Sequence, residues 1–89
     1  MANYWDPTDQ KTIWSIEKEI LEMINRGRMR AYDRLFEGSV EDIRLNSDGS
    51  ALISIYGKDE NDERGHWHIA VRVDPNGHIL SVENCRKTS

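Results

Sequence analysis

The order of periodicities along this chain predicts an α+β fold: an N-terminal helical segment, broken near Gly27, packed on a curved four-stranded antiparallel sheet. Three observations predict it. Ile13, Ile16, Ile20 and Ile24 recur at three- and four-residue intervals, the spacing of one helix face. From Val40 onward the apolar period falls to two, that of half-buried strands. The alternating runs are separated by Asn46-Ser47-Asp48-Gly49 and Asp74-Pro75-Asn76-Gly77, groupings that favour tight turns. Helices first and strands afterwards segregate into α+β rather than interleaving as α/β.

The 89 residues make one domain, 1–89, with a lead at 1–5, helices over 6–37, sheet over 39–84 and a tail at 85–89. A chain of this size buries only about 60–65% of its unfolded surface, so association with a copy or a partner is expected. The net charge of −4 disfavours nucleic acid and membrane surfaces as partners. Cys85 is the single cysteine, and the opening residues have neither the basic region nor the apolar run of a signal peptide. With no apolar stretch of spanning length, the expected location is the cytoplasm.

Tyr4 and Trp5, in the lead, read two ways: as a cover folded over the core, or as anchors for a partner. Asp6 offers an N-cap oxygen and Pro7 suits the first helical position, so the first helix is expected over 7–25. Leu21 and Met23 widen its apolar stripe, while Trp14 sits one step off it, as a core edge or a contact residue. Gly27 interrupts the pattern, and Met29, Tyr32, Leu35 and Phe36 resume it as a second helix over 28–37. Arg26, Arg28, Arg30 and Arg34 form the densest positive cluster, read as a solvated face paired with Glu22, Asp33 and Glu37, or as an acceptor of phosphate or acidic partners.

The first strand begins near Val40. Alternation places Asp42 with Val40 and Arg44 on one face, and Glu41 with Ile43 and Leu45 on the more apolar face. In the second, Ala51, Ile53 and Ile55 share one face and Leu52, Ser54 and Tyr56 the other. Both faces carry apolar residues, so one is expected to take the helix and the other a second subunit. The acidic stretch 57–65 is a hairpin connection; counting from Asp59, the sixth residue is Arg64 and the twelfth Ala70, which excludes an EF-hand loop. In the third strand Trp67, Ile69, Val71 and Val73 point inward and His66, His68, Ala70 and Arg72 outward. The last strand follows Gly77 in a register that alternation leaves open: pairing Val73 with His78 puts Val71 with Leu80 and Ile69 with Val82, and a bulge shifts it by one.

No catalytic set is complete. His66 and His68 project from one face and are the candidate metal pair, with His78 or Glu83 nearby, yet two histidines do not make a zinc site. Cys85 has no partner defined by spacing, the six glycines read as scattered among turns, and no phosphate-binding loop or cofactor motif is present. The residues therefore imply a small acidic protein that works without catalysis or cofactor by binding another protein, of inhibitor or immunity type, as a homodimer. The candidate binding residues are Tyr4, Trp5, Trp14, Tyr56, His66 and His68.

The run 20–27, then Tyr32, Leu35 and Phe36, resembles the opening of nuclear transport factor 2-like proteins, a superfamily that includes ketosteroid isomerases, and Ser39-Val40-Glu41-Asp42 is similar to the isomerase stretch carrying the base. Val73-Asp74-Pro75-Asn76-Gly77-His78-Ile79 is similar to that family's last hairpin. The resemblance implies a sheet wrapped on a helix, as in this family or the cystatin-like folds, in truncated form. It also implies an alternative function, a pared-down pocket protein that binds or transforms a small apolar molecule, with Asp42 or Glu41 as base and Tyr32 or Tyr56 as donor.

Overall fold

One helix lies across an open antiparallel meander in the computed structural model, which describes residues 9–31 and 34–89. Tyr4, Trp5, Asp6, Pro7, Tyr32 and Asp33 lie outside the described residues. Helix α1 runs Gln10–Asn25, and the strands are β1 (Leu35–Leu45), β2 (Ser50–Asp59), β3 (Arg64–Val73) and β4 (Ile79–Lys87) in the spatial order β1-β2-β3-β4. This is the α+β architecture that the change of period implies.

The start of α1 differs from expectation. Asp9 is the N-cap, its carboxylate accepting from the Lys11 N–H at 3.2 Å and the Thr12 hydroxyl at 2.8 Å. Asp6 and Asp9 carry the same capping chemistry, but only Asp9 has a hydroxyl three residues on to complete the cap. From there Ile16, Ile20 and Ile24 bury fully against the sheet, while Trp14 stands 62% exposed on the solvent side. The helix closes with the Arg26 N–H on the Glu22 carbonyl and the Gly27 N–H on the Ile24 carbonyl, Gly27 taking the left-handed φ of 74° that a side chain resists.

The second helix, expected over 28–37, does not form. Arg28–Ala31 make a single 3₁₀ turn that buries Met29, and β1 begins already at Leu35. Apolar residues spaced as Met29, Leu35 and Phe36 fit either a helix or a turn followed by a strand. The left-handed Arg34, with φ 56°, breaks any helical path before Leu35 pairs with Asp59.

Strands β2 and β3 alternate strictly. Ala51, Ile53, Ile55, Trp67, Ile69 and Val71 face the helix and are buried, and the residues between them face away. The edge strands do not keep this period. In β1, Val40 pairs with Ile55 and Asp42 with Ser54, leaving Glu41 as an extra residue. In β4, Leu80 and Glu83 are extra in the same way. The closing register is therefore Val73–Ile79, Val71–Val82 and Ile69–Cys85 rather than one starting at His78, and Leu80 is turned out at 67% exposure.

The glycines are not all in turns. Gly38, Gly57 and Gly65 pair directly across β1, β2 and β3 in one row. A Cβ on Gly57 would stand 2.0 Å from the Glu37 carbonyl oxygen, and one on Gly65 would stand 2.2 Å from that of Ser89. Neighbouring backbone crowds Gly57 and Gly65, and the Ile55 side chain, 2.4 Å from where a Cβ would stand, crowds Gly38. At the other end of the sheet Gly77, with φ 83°, lets the β3–β4 turn sit under the helix, where a Cβ would lie 2.6 Å from the Thr12 carbonyl oxygen. Among the described residues no helix is long and apolar enough to cross a membrane.

Candidate functional site: the sheet face opposite the helix

The pleat sends alternate residues of the two central strands away from α1, and those residues include most of the described candidates. Leu52, Ser54 and Tyr56 on β2 lie directly beside Ala70, His68 and His66 on β3. Leu52 is 36% exposed and Tyr56 37%. The bulge in β1 adds one more group. Alternation assigned Glu41 to the apolar face, but the extra residue turns it outward, where its Oε1 lies 2.8 Å from Nδ1 of His66. The His66 ring in turn meets the Tyr56 ring at a centroid distance of 5.0 Å and an interplanar angle of 60°. Asp42, paired with Ser54, points the same way, so Glu41 and Asp42 share the outer face instead of dividing between the two.

Glu41, Asp42, Tyr56, His66 and His68 are thus brought together, while Trp14 is not, being on the helix. Glu41 is linked to His66 by a hydrogen bond and His66 to Tyr56 by ring contact alone, and the three lie open on the surface. Both ends of the Glu41–His66 pair are close to half exposed. Such groups gain strength only when something covers them and excludes water. His68 stands between Ser54 and Arg86 in the adjacent row. Neither of the expected completing ligands joins the two histidines: Nδ1 of His78 is 3.0 Å from a Glu19 carboxylate oxygen, and Glu83 pairs with Arg72 at 3.7 Å. Among the described residues no cluster of three or more His, Cys, Asp or Glu is placed to hold a metal ion.

Depressions also mark the surface of the described residues. One of about 310 Å³ runs between α1 and β4, with Met23, Ile79, Leu80 and Val82 as its apolar part and Glu19, Glu22, Arg26 and Arg28 around them. The Glu19 carboxylate also accepts from the Ile79 N–H, tying helix to edge strand. Nothing in the helical spacing singled out this groove, because Leu80 enters its rim only through the bulge. The second, of about 340 Å³, lies over the glycine row beside Tyr56 and Lys58, and the third, of about 390 Å³, over Arg30, Ala31, Arg34 and Lys87. Glu41 and Asp42 line none of the three.

Of the carboxylates expected to pair with the arginine cluster, Asp33 lies outside the described residues. Among the described residues no carboxylate comes within ion-pair distance of Arg26, Arg28, Arg30 or Arg34; Glu37 pairs with Lys58 at 3.5 Å, and the Arg30 guanidinium lies 4.4 Å over the Phe36 ring. The Ser50 hydroxyl and N–H hold the Asp48 carboxyl below its ordinary value, and the Glu63 and Asn61 N–H groups do the same for Asp59. Hydrogen bonding to Asp62 raises Lys58.

Comparison with protein-family models, curated proteins and solved structures finds no match to this chain.

Proposed function

We propose that this chain is a small protein-binding domain that acts without catalysis and self-associates through the face of its sheet opposite the helix. One observation carries the reading: α1 covers a single face, while the other presents Leu52 and Tyr56 on a central strand with none of the described elements over them. Central-strand apolar residues of this kind mark surfaces that another protein covers. The position of Glu41 and Asp42, on the open sheet and apart from the depressions, supports binding over the pocket alternative, which needs a base inside an enclosed cavity.

The inhibitor or immunity type is the specific form of this proposal. Its support is the acidic balance together with Glu60, Asp62 and Glu63, exposed in the β2–β3 turn, where a basic target would meet them. A relation to the nuclear transport factor 2-like or cystatin-like folds is part of the same proposal. The single helix followed by four antiparallel strands supports it, although Leu35 and Phe36 start a strand instead of ending a helix.

Light scattering on the whole chain across a concentration series tests the reading. Wild type is expected to move from the 10.4 kDa chain mass to twice that mass as concentration rises. The double variant L52S/Y56S is expected to stay monomeric while keeping its thermal unfolding midpoint. A wild type that remains monomeric throughout overturns self-association.

A further inference from the structure

We infer that the partner on this face is a second copy of the chain, related by a two-fold axis that runs along the strands between β2 and β3, with Asp42 of each copy opposite Arg86 of the other. The inference rests on the self-association just proposed and adds to it a register. It starts from the alignment of outward residues in rows across the sheet. Asp42, Ser54, His68 and Arg86 form one row, and Arg44, Leu52, Ala70 and Asn84 the next. On the far side of the first row, Ser39, Tyr56 and His66 form a third.

The first row is negative at its β1 end and positive at its β4 end, and both end residues are exposed. A two-fold along the strands exchanges β1 with β4 and β2 with β3. It lays each Asp42 over Arg86 of the partner subunit, making two opposite-charge contacts per dimer. The centre matches as well. Leu52 falls over the small Ala70 of the partner subunit, Ser54 over His68 of the partner subunit, and Tyr56 over His66 of the partner subunit. In the first two of these pairs a small residue faces a larger one, which is what close packing of two faces requires. The third extends the Tyr56–His66 ring contact into a cluster of four rings, with Glu41 held on each imidazole.

The other face-to-face two-fold, perpendicular to the strands and crossing this row, lays β1 on β1. It sets Asp42 against Asp42 and Arg86 against Arg86, and like charges so placed disfavour it. Aligned packing of two sheets about 10 Å apart accommodates the first arrangement without remodelling the backbone. Four strands and about seven residues along each give a flat footprint of roughly 400 Å² per copy. Counted over both copies that is about 800 Å², below the roughly 1,200 Å² of standard stable interfaces, so the dimer is expected to be weak and transient, with a dissociation constant of micromolar or above.

Charge exchange tests the register. The dimer dissociation constants of wild type, D42R, R86D and D42R/R86D are measured by sedimentation equilibrium, with far-ultraviolet circular dichroism as the control for folding. Each single variant places like charges in contact twice and is expected to weaken the dimer by roughly ten- to a hundredfold. The double variant reverses both partners and is expected to return to within a few-fold of wild type. An equimolar mixture of the two single variants is expected to form a heterodimer, because every contact is then again between opposite charges. If wild type dimerises but the single variants match it, or the double variant fails to recover, the register is overturned while self-association stands. If wild type never dimerises, the functional reading falls with it.

Discussion

The two faces of the sheet are built from the same strands and differ only in which alternate residues they present. Toward the helix β2 and β3 show Ala51, Ile53 and Ile55 with Trp67, Ile69 and Val71, an uninterrupted apolar surface closed by three isoleucines of α1. Away from it the intervening positions show Leu52, Ser54 and Tyr56 with His66, His68 and Ala70, half apolar and half hydrogen-bonding. Burial without polar cost makes the first face a source of folding energy. The second holds polar groups that stay solvated in the monomer, even where they pair as His66 does with Glu41, which suits a surface that associates reversibly. Changes on the inner face should therefore act on folding, and changes on the outer face on association.

The sharpest way to break the contrast is at Trp67, fully buried at the middle of the inner face with Lys87 Nζ 5.2 Å from its ring. Trp67→Ala should cost about 3–5 kcal/mol in unfolding free energy, through lost burial and the cavity left behind. Against a total of about 5–15 kcal/mol for an ordinary domain, denaturant melts should show a large fall or outright loss of the transition. A cost near that of an exposed substitution, within about 0.5 kcal/mol, would deny the inner face its role. Gly77→Ala should come next. It puts a Cβ at a left-handed φ and within 2.6 Å of the Thr12 carbonyl, where backbone rather than a flexible side chain must yield. A loss of roughly 1–3 kcal/mol is expected, read from the same melts at a concentration where the chain is monomeric. An unchanged midpoint would mean that the helix start does not rest on this turn.

How much of this was legible in the sequence follows from the same contrast. The central strands keep period two without interruption, so the faces taken by Tyr56, His66 and His68 could be read from spacing alone. The edge strands could not be read so, because the extra residues Glu41, Leu80 and Glu83 carry no compositional mark, and one extra residue moves every following side chain to the other face. Alternation alone therefore places Glu41 inward, although it contacts His66, and gives no sign of the groove at Leu80. At the helix start the sequence favours Asp6 as the cap, whereas Asp9 caps the helix, its carboxylate accepting from the Thr12 hydroxyl. At its end, the positive φ of Arg34 is a choice that a non-glycine residue rarely makes, and nothing in the spacing of Leu35 and Phe36 announced it. The glycine row was hidden for another reason: Gly38, Gly57 and Gly65 are distant in sequence and meet only through pairing.

The smallest expected effects lie in the turns, which belong to neither face and so set a baseline for both. In the β1–β2 turn the Asp48 carboxylate accepts from the Ser50 hydroxyl at 2.6 Å and its N–H at 2.9 Å, with Arg72 adding attraction. In the β2–β3 turn Asp59 accepts from the N–H groups of Glu63 and Asn61, with Lys87 nearby. These bonds favour the ionised carboxylate, so both folded-state pKa values lie below that of the unfolded chain. A carboxyl depressed in this way adds stability above the unfolded value, about 3.9, and loses it as pH falls through the folded value. Asp48→Asn and Asp59→Asn should therefore each lower the unfolding midpoint slightly at neutral pH and leave a flatter acid limb, converging on wild type at the lowest pH. Lys58 has the opposite sign: raised by Asp62 and Glu37, it contributes through neutral pH and fades only in alkali. Thermal melts of monomeric protein from about pH 7 down to about pH 2 read the difference. Parallel limbs for wild type and both variants would move the acid response out of the turns. Since Ser50 begins β2 directly after the first turn, a flattened limb would show that carboxylates beside the sheet, and not on either of its faces, set its resistance to acid.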